Sequence, residues 1–269
     1  MQWTPFAYAA AVLIIALIGG LLPIFSKMKD DPERLKQITG IAAGIIIASA
    51  MLVVIPEGFD LVSESNTEPL FYGGAILAGF LLMLILEGSG IGHAVHEEHH
   101  EHSEDHGHSH VHHGPSGWLL VLGLTLHAAT DGLAIGAAIA SGEVAVSAAV
   151  VLAVLIHKAP TAFSLGVFSL HEREDRNSSV TDVIIFSLAT PVMIIVAFNV
   201  LSGMEEHLIG MAMLFSAGTF LYVATVDTLP DIHNPETGRK ALMHVLIGVV
   251  VLTSIMFTAD ATGFLGHSH

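Results

Sequence analysis

Eight long apolar segments constrain the fold of this chain more than any other feature. They lie at residues 5–25, 37–59, 69–88, 117–141, 144–170, 178–201, 207–232 and 241–259. A helix needs roughly 20 residues to cross the hydrocarbon core of a bilayer. The segments are apolar nearly all round, whereas core helices of a soluble protein would keep a polar face towards water. The sequence therefore predicts an all-α membrane protein of eight transmembrane helices.

The basic residues predict the orientation of these helices. Eight of the nine lie in the connections between helices one and two, five and six, and seven and eight. The positive-inside rule places those connections in the cytoplasm, and an even number of spans then leaves both termini outside. No basic leader precedes the first segment, so it is expected to remain as a helix. We expect a multi-pass protein of the cell membrane, either plasma or inner.

Charge and composition restrict the partners and the kinds of metal site. The predicted outer connections carry acidic residues and no Lys or Arg, so the outer face should attract cations; these acids are Glu64, Glu68, Glu143, Glu205 and Glu206. The net charge of −16 argues against a nucleic-acid partner. The chain contains no cysteine, which excludes thiolate sites. Any metal must be held by imidazole and oxygen.

A histidine-rich insertion at 92–115 separates two membrane parts, 1–91 and 116–269, of one membrane domain. Ten of the eighteen histidines lie in it. It has too little apolar surface to fold, which predicts a disordered cytoplasmic loop. Its imidazoles would bind zinc, nickel or copper loosely; the candidates are His99, His100, His102, His106, His108 and His110. Two interpretations remain open: a solvated linker, or a metal buffer or sensor.

Buried polar residues in helices four and five are the candidates for a metal site. His127 and Asp131 share one helix face at i,i+4, about 15 Å from the start of their helix. His157 and Thr161 have the same spacing in helix five. Ionisable groups inside spans are costly, and by default they indicate function. We predict a divalent-metal site of His127, Asp131 and His157, with Thr161 adding an oxygen. A structural His127–Asp131 hydrogen bond is the alternative.

The polar groups of helices four and five run antiparallel with similar spacing, which indicates an inverted repeat meeting near the middle of the membrane. Further ionisable groups are predicted near the two mouths of a cation pathway. Glu57 lies towards the outer end of helix two, and Asp227, Asp231 and His233 lie towards the inner end of helix seven.

Lys158 places a positive charge beside this predicted cation site. It lies roughly twelve residues from either end of its helix, too far for its ammonium to reach the interface by snorkelling. Two roles remain open. The ammonium either occupies the place of a second cation, or it pairs with Asp131 when no metal is bound.

At these residues the chain resembles the ZIP family of zinc and iron transporters, over essentially its whole length. Helix four of that family typically reads His-Asn-x-x-Asp/Glu-Gly, and helix five His/Gln-Glu/Asp-x-Pro-x-Glu/Gly. The matching positions are His127, Asp131, Gly132, His157 and Pro160.

Three positions depart from the family pattern, and all three bear on the number of metals bound. Ala128 stands where Asn is common, Lys158 where a carboxylate is common, and Thr161 where Glu or His is often found. The second metal site of the family thereby loses its ligands, so we expect one metal, with Lys158 and Ala128 replacing the second site. The His-Lys-Ala-Pro sequence, with residues 216–225, resembles the branch that carries Lys in helix five.

The resemblance implies influx of zinc towards the cytoplasm by alternating access, with helices four and five in the transported core. It also implies a homodimer and no prosthetic group; Fe²⁺, Mn²⁺ and Cd²⁺ are further possible substrates. Two rivals remain. A cation-diffusion exporter would need six helices and a cytoplasmic C-terminal domain. An intramembrane zinc hydrolase would keep three firm ligands and an activated water, and no His-Glu-x-x-His motif occurs.

Overall fold

The computed structural model describes residues 3–26, 32–63, 68–89, 117–173, 175–233 and 237–263. These residues form eight helices that are long and apolar enough to cross a membrane. They are α1 (Thr4–Phe25), α2 (Pro32–Ser49, continued by Ala50–Val54 and Ile55–Ser63), α3 (Pro69–Gly88), α4 (Gly117–Ala140), α5 (Val144–Arg173), α6 (Arg176–Leu201), α7 (Glu206–His233) and α8 (Gly238–Ala261). No strand occurs in the described residues. The predicted fold class is confirmed.

The second helix departs most from the predicted spans. It begins at Pro32 rather than near residue 37 and contains a π-helical turn at Ala50–Val54, where the Ile55 N–H donates to the Ala50 carbonyl. Pro56 follows directly. Proline has no N–H and its ring crowds the preceding turn, so the extra residue of the π turn accommodates it within a continuous span. Apolar periodicity alone does not predict this wider turn.

The helices pack into two groups. In the first, α4 packs against α6, and α1 packs against α5 and α6. In the second, α3 packs against α7, and α2 packs against α7 and α8. Exchanging α1 with α6, α2 with α7, α3 with α8 and α4 with α5 maps most of the extensive pairings onto one another. An inverted repeat produces this pattern of pairings.

The two groups meet along α4–α7 and α2–α5. Hydroxyl groups lie in both interfaces. Thr130 Oγ1 and Thr219 Oγ1 are 2.8 Å apart between α4 and α7. Thr39 Oγ1 and Ser164 Oγ are 3.2 Å apart between α2 and α5. Each interface thus has a polar contact between two side chains.

Close approach of α4 and α6 depends on two glycines one turn apart. A Cβ atom on Gly132 would lie 2.5 Å from the Thr190 carbonyl oxygen, and one on Gly136 would lie 2.6 Å from the Ala197 Cβ. Neither distance is compatible with a real side chain. Small residues one turn apart allow two helices to approach closely, and α4 and α6 do so at both glycines.

Polar contacts also fix the α5–α6 connection. The Arg173 guanidinium donates to both carboxylate oxygens of Asp182, at 2.9 and 3.1 Å, and the Ser169 hydroxyl donates to the same carboxylate at 2.6 Å. Asp175 caps α6 by accepting from the Ser178 hydroxyl at 2.7 Å and the Ser178 N–H at 2.9 Å. These hydrogen bonds from Ser178 hold the pKa of Asp175 below its usual value.

Candidate metal centre

The structure brings together His127 and Asp131 of α4 and His157 of α5. Asp131 Oδ1 lies 3.7 Å from His127 Nε2 and 3.5 Å from His157 Nε2. One donor atom from each residue lies within 4.8 Å of the other two. The three side chains are at most 1% exposed. Among the described residues, this is the one His/Asp/Glu group with such geometry.

The spacing of these atoms suits a small divalent ion. Zinc binds imidazole nitrogen and carboxylate oxygen at about 2.0–2.1 Å in a tetrahedron, which separates neighbouring ligand atoms by about 3.3 Å. Two of the observed separations, 3.5 and 3.7 Å, are close to that value. His127 Nε2, Asp131 Oδ1 and His157 Nε2 are buried and have no hydrogen-bond partner among the described residues. Buried polar atoms without partners are rare and costly, and a bound cation would satisfy all three.

The orientation of His157 prepares it to bind a metal. Its Nδ1 lies 3.1 Å from the Ala153 carbonyl oxygen. Since a carbonyl only accepts, Nδ1 carries the hydrogen and donates it. The Nε2 of the neutral ring then offers its lone pair to the centre. Such a second hydrogen bond is the usual way in which proteins fix the tautomer of a metal-binding histidine.

Asp131 uses its two oxygens differently. Oδ2 accepts a hydrogen bond from Lys158 Nζ at 2.8 Å, whereas Oδ1 faces the two histidines. Lys158 is completely buried, so its charge does not reach water. Its ammonium neutralises the carboxylate on one side and leaves the other side for a cation. Of the two roles predicted for Lys158, pairing with Asp131 describes the contact that is present.

The predicted roles of Thr161 and Ala128 remain predictions. Thr161 is buried, and its hydroxyl donates to the His157 carbonyl at 2.9 Å. Its oxygen keeps lone pairs that a metal would accept. Ala128 is fully buried, and its carbonyl accepts a hydrogen bond from the Thr190 hydroxyl at 2.7 Å.

Three residues around the centre were not predicted as functional. Thr190 and Phe186 of α6 contact the Lys158 ammonium. Phe220 of α7 lies with its ring centroid 5.7 Å from both imidazole centroids, at 73° and 77° to them. It is fully buried and closes the centre towards α7. Phe220 lies within the 216–225 motif, but nothing in the sequence pairs it with either histidine.

Of the predicted pathway residues, only Glu57 has its side chain in the described part of the chain. Glu57 is half-buried and lies in the first turn after the π-helical segment. Helix α7 runs to His233, but the side chains of Asp227, Asp231 and His233 lie outside the described part. The histidine-rich loop also lies outside the described residues, with His99, His100, His102, His106, His108 and His110.

Comparison with known proteins identifies the family of this chain. The sequence model described as "ZIP Zinc transporter" matches residues 5–115 and 89–256. The chain is 30% identical to the zinc transporter ZIP9 of Xenopus tropicalis over 304 aligned positions, covering 96% of each chain. It is 27% identical to the zinc transporter ZIP1 of Takifugu rubripes, covering 93% of this chain and 96% of that one. Members of the family are zinc transporters and not enzymes, and neither rival is favoured. The chain belongs to the ZIP family of zinc transporters.

Proposed function

We propose that this protein moves zinc towards the cytoplasm by alternating access, through one metal site formed by His127, Asp131 and His157. The observation that carries the proposal is the convergence, at a fully buried point between α4 and α5, of three donor atoms that have no hydrogen-bond partner in the described part of the chain. Two neutral imidazoles and a carboxylate match the preferences of zinc. Thr161 or water completes the coordination.

The composition of the site favours transport over storage. A closed structural site holds zinc with four firm ligands, whereas this one has three, one of them a carboxylate shared with Lys158. The nearby ammonium repels a divalent cation and reduces the net negative charge available to it. The same charge occupies the far side of Asp131, where a second ion would otherwise bind. We therefore propose a single zinc ion held weakly enough to be released.

In the proposed mechanism, the two helix groups move relative to each other. Both metal-binding helices, α4 and α5, pack with α1 and α6, while α2, α3, α7 and α8 form the other group. Relative movement of the two groups along α4–α7 and α2–α5 would open the centre alternately to each side. Glu57 would serve the outer entrance, and Asp227, Asp231 and His233 the inner exit, with both termini outside.

The histidine-rich loop, the oligomeric state, the membrane and the range of metals are also part of what we propose. Zinc reaching the cytoplasm would meet the loop histidines, which act as a buffer or sensor in this proposal. Helices α3 and α8 leave many apolar side chains exposed, so they face lipid and would include the surface of a homodimer. The protein would work in the plasma or inner membrane. Fe²⁺, Mn²⁺ and Cd²⁺ would compete with zinc to different extents.

Zinc uptake by proteoliposomes tests the proposal. His127→Ala should abolish most flux, because it removes one of three ligands. His171→Ala is the matched control: His171 is exposed near the end of α5, and its replacement should leave flux at the parental rate. Unchanged flux in the His127 variant would refute the site. Sorting vesicles by orientation tests direction, and a competition series with Fe²⁺, Mn²⁺ and Cd²⁺ tests selectivity.

A further inference from the structure

The Lys158 ammonium is enclosed by contributions from two other helices. Its Nζ donates to Asp131 Oδ2 of α4 at 2.8 Å and to Thr190 Oγ1 of α6 at 2.6 Å. The Phe186 ring of α6 lies with its centroid 4.5 Å from Nζ. Phe186 and Thr190 are four residues apart and therefore share one face of α6. Helix α6 thus presents an aromatic ring and a hydroxyl group to the same charge.

Thr190 joins the charge to the backbone of α4. Its hydroxyl accepts from Lys158 and donates to the Ala128 carbonyl at 2.7 Å. The absence of a side chain at Gly132 brings the α6 backbone close enough for both contacts, since a Cβ there would lie 2.5 Å from the Thr190 carbonyl oxygen. The hydroxyl position is therefore fixed from both sides.

We propose that Thr190 and Phe186 are positioning residues that set zinc affinity: they hold the Lys158 ammonium on Asp131 Oδ2, so that Oδ1 stays available to zinc. The inference rests on the proposed function and extends it to α6. A buried ammonium has three hydrogens and needs acceptors for them. In the described structure its hydrogen-bond acceptors are the Asp131 carboxylate and the Thr190 hydroxyl.

Loss of the hydroxyl should therefore weaken zinc binding through Lys158. Without Thr190, the ammonium turns further onto the carboxylate and engages both of its oxygens. Its charge then moves towards Oδ1 and competes with the incoming metal. A purely structural role for Thr190 would instead reduce folded protein or maximal rate, without a specific effect on KM.

Thr190→Val preserves the shape of the side chain and removes the hydroxyl. A hydrogen bond to a charged group changes an equilibrium constant by about one to two factors of ten. We therefore expect the KM for zinc uptake to rise roughly tenfold in this variant. The maximal rate should stay within about twofold on the same reasoning. Thr190→Ser should restore the parental KM because it returns the hydroxyl. Thr181→Val is the control, since Thr181 is exposed and, within the described residues, its hydroxyl donates to the Asn177 carbonyl of its own helix.

Phe186→Leu provides a second test of the proposal that does not depend on Thr190. Loss of the ring face beside a desolvated ammonium should raise KM about fivefold. If the valine variant does not fold, this variant decides the proposal. An unchanged KM in whichever of the two variants folds, or a Thr190→Ser variant that behaves like valine, would overturn it.

A double-mutant cycle separates the role of Lys158 from packing. In a Lys158→Met background there is no ammonium to position, so adding Thr190→Val should leave KM unchanged. A further tenfold rise in that background would show that Thr190 acts through Ala128 or through packing, and would overturn the inference. These outcomes are distinct from failure of the proposed function, which appears as unchanged flux in His127→Ala.

Discussion

Replacing Lys158 with methionine tests how charge controls zinc affinity at this site. Methionine keeps an unbranched apolar chain but removes the ammonium that lies 2.8 Å from Asp131 Oδ2. The carboxylate would then be buried and charged without its cationic partner. Because both groups are almost fully shielded from water, solvent would not compensate for the loss.

The size of the effect follows from the buried pair. Removing one partner of a buried ion pair costs about 3–5 kcal/mol, because the other charge is left unpaired. Zinc restores that compensation, so the cost falls on the metal-free protein and appears as tighter zinc binding. Taking about 3 kcal/mol, the Kd for zinc should fall roughly 100-fold. Tighter binding should also slow release, so the maximal transport rate should fall.

Two measurements check this prediction. Zinc titration of the purified protein by calorimetry, with a competing chelator, gives Kd. Thermal unfolding with and without zinc shows whether the metal-free variant is destabilised and whether zinc restores it. Lys240→Met is the matched control, because Lys240 is 72% exposed and 3.9 Å from Glu33, a pair that contributes little. Zinc affinity unchanged or weaker in the Lys158 variant would refute the reasoning.

Three further predictions concern other parts of the site and its support. Lys158→Asp should raise the amount of metal bound per chain or alter selectivity. If the metal content and the flux both stay at the parental values, Lys158 does not occupy the place of a second cation. Gly132→Ala should cost about 1–3 kcal/mol of stability by overpacking and reduce flux. Gly73→Ala should do neither, because a Cβ added there would meet no described atom within 4 Å outside the nearby backbone of its own helix. Asp175→Ala should lower the melting temperature at neutral pH. Because Ser178 lowers the pKa of Asp175, this difference should disappear as pH falls through that lowered value; a difference that persists in strong acid would contradict the cap.

Several features of the fold follow directly from the sequence. Helical spans must satisfy their own backbone hydrogen bonds in lipid, so apolar length alone predicts eight helices near their observed bounds. The spacing of Gly132 and Gly136 predicts close packing because it depends on local helix geometry. The π turn before Pro56 is different, because a proline indicates a disturbance of the helix without specifying its form.

Some features of the metal centre also follow from the sequence, whereas others depend on how the helices pack. Spacing at i,i+4 places His127 and Asp131 on one face of α4, and the motif with His157 predicts the ligand set. Nothing local predicts that Asp131 divides its oxygens between Lys158 and the histidines. That division depends on how α4, α5 and α6 are packed together.

The sequence by itself determined the eight spans, excluded thiolate ligands and predicted the candidate residues of a metal site. Only the tertiary structure decided which atoms face the centre and which residues enclose it. Phe186, Thr190 and Phe220 lie on α6 and α7, far along the chain from His127, Asp131 and His157, and their residue types alone do not connect them with a metal site. The physical reason is that helix periodicity encodes contacts within one helix, whereas contacts between helices depend on their relative rotation and distance.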